Sequence, residues 1–121
     1  MSQDVRKGTR FTACFPVQIG HPTYGYVMAK TLDVSTTGFL CSIASRYPTG
    51  GEIEIAIDID GDATVRCVGM IMRERFSSNH RFTYGVRIIR FKDNGRTVWG
   101  EALLQILRKE RLRDPVSSAN Q

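Results

Sequence analysis

Residues 52–60 read EIEIAIDID, and this stretch decides the fold class. Ile53, Ile55, Ile57 and Ile59 fall on one side of an extended chain, while Glu52, Glu54, Ala56, Asp58 and Asp60 fall on the other. A period of two, with isoleucine on one face and mostly acids opposite, is what a half-buried strand requires. The Asp-Gly-Asp at 60–62 then turns the chain back in a tight hairpin.

The same period extends to both sides. Downstream, strands are expected from about Ala63 to Arg75 and from His80 to Phe91. Upstream, GFLCSIA (Gly38–Ala44) and Tyr24–Leu32 read as strands, and RYPTGG at 46–51 is a turn because a proline and two glycines break any ladder. Phe11, Ala13, Phe15 and Val17 alternate with polar or small residues around Pro16, a broken strand, and 20–23 is a loop. After Phe91 the period changes. Val98, Trp99, Ala102, Leu103, Ile106 and Leu107 recur at helical spacing, with Asp93 or Asn94 to cap the start and Arg108, Lys109 and Arg111 suited to the negative end of the dipole. The stripe is core-facing, with Trp99 in it. About six short strands and one terminal helix imply an all-β domain, a small antiparallel barrel or sandwich with the helix over one end or seam.

Composition narrows the class of function. The chain has 121 residues, enough for one domain with a core of its own. Net charge is +5 and the pI about 9.4, so anionic partners are favoured. Arginine supplies most of the positive charge, and its planar fork suits phosphates and guanine edges. The three cysteines, Cys14, Cys41 and Cys67, form no C-x-x-C pair, so no zinc site is expected; all three are read as buried thiols in a reducing compartment. No apolar run is long enough to span a membrane, and a cytoplasmic protein is expected. His21 and His80 stand in loop-like settings with no nucleophile or acid beside them, no phosphate-cradling glycine loop occurs, and DIDGD at 58–62 lacks the later ligands of a calcium loop. No enzyme, metal or cofactor is expected.

Two polar segments remain. RKGTR places Arg6 and Arg10 four residues apart around Lys7, Gly8 and Thr9. The glycine and threonine make a helix poor there, and residues 1–10 read as a mobile basic arm whose two guanidiniums can converge on one anion. DVSTTG (33–38) joins two strands, and alone it reads as a hydroxyl-braced turn. Opposite a basic arm it becomes half of a pocket. Asp33 can accept two N–H donors from a guanine edge, Ser35 can contact a phosphate or brace the acid, and Gly38 permits positive φ or close approach to the backbone.

The pair of motifs resembles the PilZ domain, the bacterial receptor module for cyclic di-GMP. The family pattern is R-x-x-x-R in an N-terminal loop followed by [D/N]-x-S-x-x-G, matched here by Arg6 and Arg10 and then by Asp33, Ser35 and Gly38, with no departure at the five positions. The resemblance spans roughly residues 5–112. It implies a six-stranded antiparallel barrel with one C-terminal α-helix; with the aperiodic ends, the expected division is an arm at 1–10, a barrel and helix over 11–113 and a disordered tail at 114–121.

The resemblance also implies a ligand and roles. Cyclic di-GMP carries two phosphates and two guanines. Arg6 and Arg10 would offer forks to phosphate oxygens and guanine O6/N7, Asp33 would accept from guanine N1–H and N2–H₂ and so reject adenine, and Ser35 would bond near a phosphate or position the loop. The arm would close over the ligand and act as the moving part of a switch. Val5 and Lys7 flank the motif, the apolar Val5 favouring one ligand molecule per protomer, while Arg66, Met70, Met72 or Arg73 could form the far wall. Output would pass to an unidentified protein partner or through self-association. The rival readings are a PilZ-like scaffold that binds only protein and a small nucleic-acid-binding barrel; the second lacks a strand-face set of stacking aromatics.

Overall fold

The computed structural model describes residues 9–78 and 81–119, with the side chains of 76–78 and 112–119 left out of the description. Seven strands form: β1 (Phe11–Thr12), β2 (Pro16–His21), β3 (Gly25–Ser35), β4 (Gly38–Ile43), β5 (Glu52–Ile59), β6 (Ala63–Ser78) and β7 (Arg81–Phe91). One helix follows, α1 (Gly95–Ala119). Every pairing is antiparallel. Around the barrel the order is β3-β2-β5-β6-β7-β4, and a β3–β4 pairing closes the ring at six strands. Closure removes the exposed edges that an open sheet would present.

The remaining strand, β1, is a two-residue stub on β3, with Phe11 opposite Val34 and Thr12 opposite Asp33. It continues the line of β2 across the gap that the broken pattern around Pro16 predicts. Buried Thr31 bridges that gap: its Oγ1 accepts from Phe15 N at 2.8 Å and donates to Ala13 O at 2.5 Å. Thus the chain before β2 is held beside the end of β3, where the site lies.

The isoleucine face of residues 52–60 is core as expected: Ile53, Ile55 and Ile57 are buried with Val17, Ile19, Val65 and Ile71. Trp99, Ala102 and Leu103 of α1 are buried, and Val98, Ile106 and Leu107 pack against the same core. Phe15 meets the Trp99 indole edge to face, with centroids 6.4 Å apart. The helix begins where Asn94 O accepts from Val98 N, so Asn94 takes the cap position, while Asp93 turns the chain at φ 53°. The helix reaches Ala119, overlapping the region 114–121 that was expected as a tail; residues 120–121 lie outside the described residues.

Two sequence expectations need correction. β3 runs on to Ser35, so Asp33 and Ser35 stand on a strand and only Thr36 and Thr37 form the turn. Cys14 is exposed, because alternation places it outward with Thr12 and Pro16 while Phe11 and Phe15 point in. Cys41 and Cys67 are buried as expected, and burial pushes both thiols up to about 12.

Candidate functional site

Thr12 lies directly across from Asp33, and Arg10 follows two residues earlier on the same side of the chain. Its guanidinium reaches the acid: Nε donates to Asp33 Oδ1 at 2.7 Å, and Nη2 lies 2.5 Å from the same oxygen. Residues 23 positions apart therefore meet at one rim. Both are partly exposed, so solvent screening limits the pair to about 0–1 kcal/mol of stability. It positions groups more than it holds the fold together.

Beyond Asp33 the chain enters a tightly fixed hairpin. Ser35 is buried; its Oγ donates to Gly38 O at 3.3 Å and accepts from Thr37 N at 3.3 Å. Ile88 N donates to Thr37 O at 2.8 Å, tying the turn to β7. Trp99 Nε1 donates to Ser35 O at 3.0 Å, tying it also to α1. Ser35 is thus the brace of the turn. Gly38 is not in the positive-φ region. It is glycine because a Cβ there would fall 2.1 Å from Val86 O, so the close approach is by β7.

These elements line a cleft of about 370 Å³ on the outer face of β3, β4, β7 and β6. Arg10 and Asp33 form one rim, and Ser35, Thr37 and Gly38 lie beside them. The far wall is Met72 and Arg75 of β6 with Gly85 and Arg87 of β7. Both β6 residues sit at irregularities. Register shifts between Ile71 and Arg73 and between Glu74 and Phe76 leave Met72 and Arg75 as the extra residues of two β-bulges. Bulged residues escape the ladder and can be aimed where regular alternation would not send them. In the β3–β4 ladder, another shift, between Thr31 and Asp33, lies just before the acid.

Asp33, Ser35, Gly38 and Arg10 are therefore brought together, with Met72 opposite. Arg66 is not with them: it lines a separate recess of about 160 Å³ beside Glu54 and Lys92, where the Lys92 hydrogen bond holds the Glu54 carboxyl below its usual range. Met70 and Arg73 do not line the cleft. Val5, Arg6 and Lys7 lie outside the described residues, as does His80. Thr37, Arg75, Gly85 and Arg87 were missed. Arg87 was within reach of the alternation Tyr84 in, Gly85 out, Val86 in, Arg87 out; Arg75 was not, because two bulges precede β7.

A larger opening of about 670 Å³ lies between α1 and the β5–β6 hairpin. Among the described residues, Asp60, Asp62, Glu101 and Glu110 line it against Lys109 alone among cations, so these groups disfavour an anion there. Among the described residues, no group of three or more His, Cys, Asp or Glu could hold a metal, and no helix is long and apolar enough to cross a membrane.

The PilZ domain family model matches residues 3–105. The fold is similar to that of the Bacillus subtilis inhibitor of motility MotI/DgrA, with TM-score 0.68 and 14% identity, over 87% of this chain and 51% of that one. It is also similar to the PilZ domain of YcgR from Escherichia coli, solved with c-di-GMP, with TM-score 0.62 and 13% identity, over 92% and 98% of the two chains. The chain thus spans about half the length of MotI. No curated protein matches the sequence.

Proposed function

Because the chain belongs to the PilZ domain family, we propose that it is a non-catalytic receptor for cyclic di-GMP, acting in the cytoplasm and signalling to a protein partner. The observation that carries this reading is the meeting of Arg10 with Asp33 at the rim of an arginine-lined cleft.

The chemistry follows from that pair. In the free protein the Arg10 guanidinium presents its N–H donors to the Asp33 carboxylate. The Watson–Crick edge of guanine, N1–H and N2–H₂, is a donor pair of the same kind. Ligand entry exchanges one for the other: guanine takes the carboxylate, and Arg10 turns to phosphate oxygen or to guanine O6/N7. Adenine offers an acceptor at N1 where guanine offers a donor, so Asp33 rejects it. The exchange moves the residue next to the N-terminal segment, and so converts occupancy into a change at that segment. Arg6, four residues earlier, supplies the second fork of the motif.

Calorimetric titration with cyclic di-GMP and cyclic di-AMP checks this. The wild type should bind only the guanine ligand, while Arg10→Ala and Asp33→Ala should lose binding with circular dichroism unchanged. Folded variants that bind as tightly as the wild type would refute the assignment of these residues.

A further inference from the structure

Three guanidiniums, Arg10, Arg75 and Arg87, line the cleft against one carboxylate, Asp33. Arg10 is paired with that carboxylate. Arg75 and Arg87 take part in none of the ion pairs formed among the described residues. Like charges gathered on one concave wall repel each other, and an arrangement of this kind is relieved by a bound anion. Among the described residues the cleft carries a surplus of two positive charges. A cyclic dinucleotide carries two phosphodiester charges.

The backbone is shaped to place these groups. Arg75 is the extra residue of a bulge, released from the alternation of β6. Its stem crosses Gly85: a Cβ on that glycine would lie 4.0 Å from Arg75 Cδ. Arg87 stands directly opposite Gly38 in the β4–β7 ladder, and Gly85 opposite Leu40. Thus Gly85, which has no side chain, leaves the floor open between the arginines and the Asp33 rim, while the place of a Gly38 side chain is taken by the Val86 carbonyl.

We propose that Arg75 and Arg87 form a second anion subsite, which takes the phosphodiester of the ligand distant from Arg10 and sets affinity for doubly charged cyclic dinucleotides. The subsite rests on the cyclic di-GMP reading above. It assigns the far wall to Arg75 and Arg87 in place of Arg66 and Arg73.

Titration of the wild type, Arg75→Ala, Arg87→Ala, Arg75→Lys and Gly85→Val with cyclic di-GMP tests it, with Arg90→Ala as the control outside the cleft. Each alanine variant should weaken binding by about tenfold or more, since a charge-assisted bond to phosphate is lost. Arg75→Lys should fall between, keeping charge without the fork. Gly85→Val should weaken binding by displacing the Arg75 stem while leaving every charge in place. Arg90→Ala should bind as the wild type does. Unchanged affinity in both Arg75→Ala and Arg87→Ala, beside a wild type that binds, overturns the subsite alone. A wild type that gives no heat overturns the receptor reading and the subsite with it. Should Arg75→Ala fail to fold, Arg87→Ala and Arg75→Lys decide the matter.

Discussion

The two flanks of β6 behave differently. Toward β5 it pairs through eight consecutive residues, from Glu52 opposite Met70 to Ile59 opposite Ala63, with no irregularity. Toward β7 the ladder slips three times. The regular flank presents buried Ile53, Ile55, Ile57 and Val65 to the core. The slipped flank turns Met72 and Arg75 outward into the cleft. Regular pairing is the best way to bury one face; a binding wall needs side chains that ignore the alternation. The barrel assigns stability to one flank and recognition to the other.

That division can be broken from either side. Ile57→Ala, on the regular flank, should cost about 2–5 kcal/mol of stability through the cavity it leaves. Urea unfolding followed by circular dichroism reads the loss, and cyclic di-GMP affinity of the folded fraction should be unchanged. Gly38→Ala tests the seam where both roles meet. Its methyl would overlap the Val86 carbonyl, so it should destabilise by about 1–3 kcal/mol and also weaken ligand binding by shifting the β4–β7 approach. Loss of only one of the two would show that the glycine serves a single role. Asp33→Ala should do the reverse of Ile57→Ala: binding of cyclic di-GMP lost, with the urea midpoint barely moved.

The smallest effect comes from the thiols. Cys14 should react with a disulfide reagent in the native protein, while Cys41 and Cys67 should react only on unfolding, because burial keeps them protonated. The same shift carries a sign. Above pH 9.0, the ordinary thiol value, the unfolded chain loses these protons while the folded chain keeps them to about 12, so stability should fall across that window. Equal reactivity of all three cysteines in the native state would contradict the burial of Cys41 and Cys67.

The division also explains what could be read in advance. EIEIAIDID and the helical stripe through Trp99 are periodic because they face one core, and periodicity survives in sequence. The rim was legible through Arg10, Asp33, Ser35 and Gly38, since a hydroxyl-braced turn and a basic segment have compositional signatures. The far wall was not. Arg66 and Arg73 were the β6 arginines offered for it, but each bulge shifts the alternation, and nothing in MIMRER marks which residue is the extra one. Gly38 was singled out for a positive φ or a close approach of ligand; the structure shows that its small size admits a neighbouring strand, a contact that exists only once β4 and β7 are paired.

The bond from Trp99 to the Ser35 carbonyl has a practical consequence. Trp99 is the chain's single tryptophan, buried and anchored by its indole N–H to the turn beside Asp33. Intrinsic fluorescence of the unlabelled protein is therefore dominated by a chromophore wired to the cleft's rim. Emission wavelength and quantum yield give an optical meter of that turn in solution, free of any second tryptophan's background.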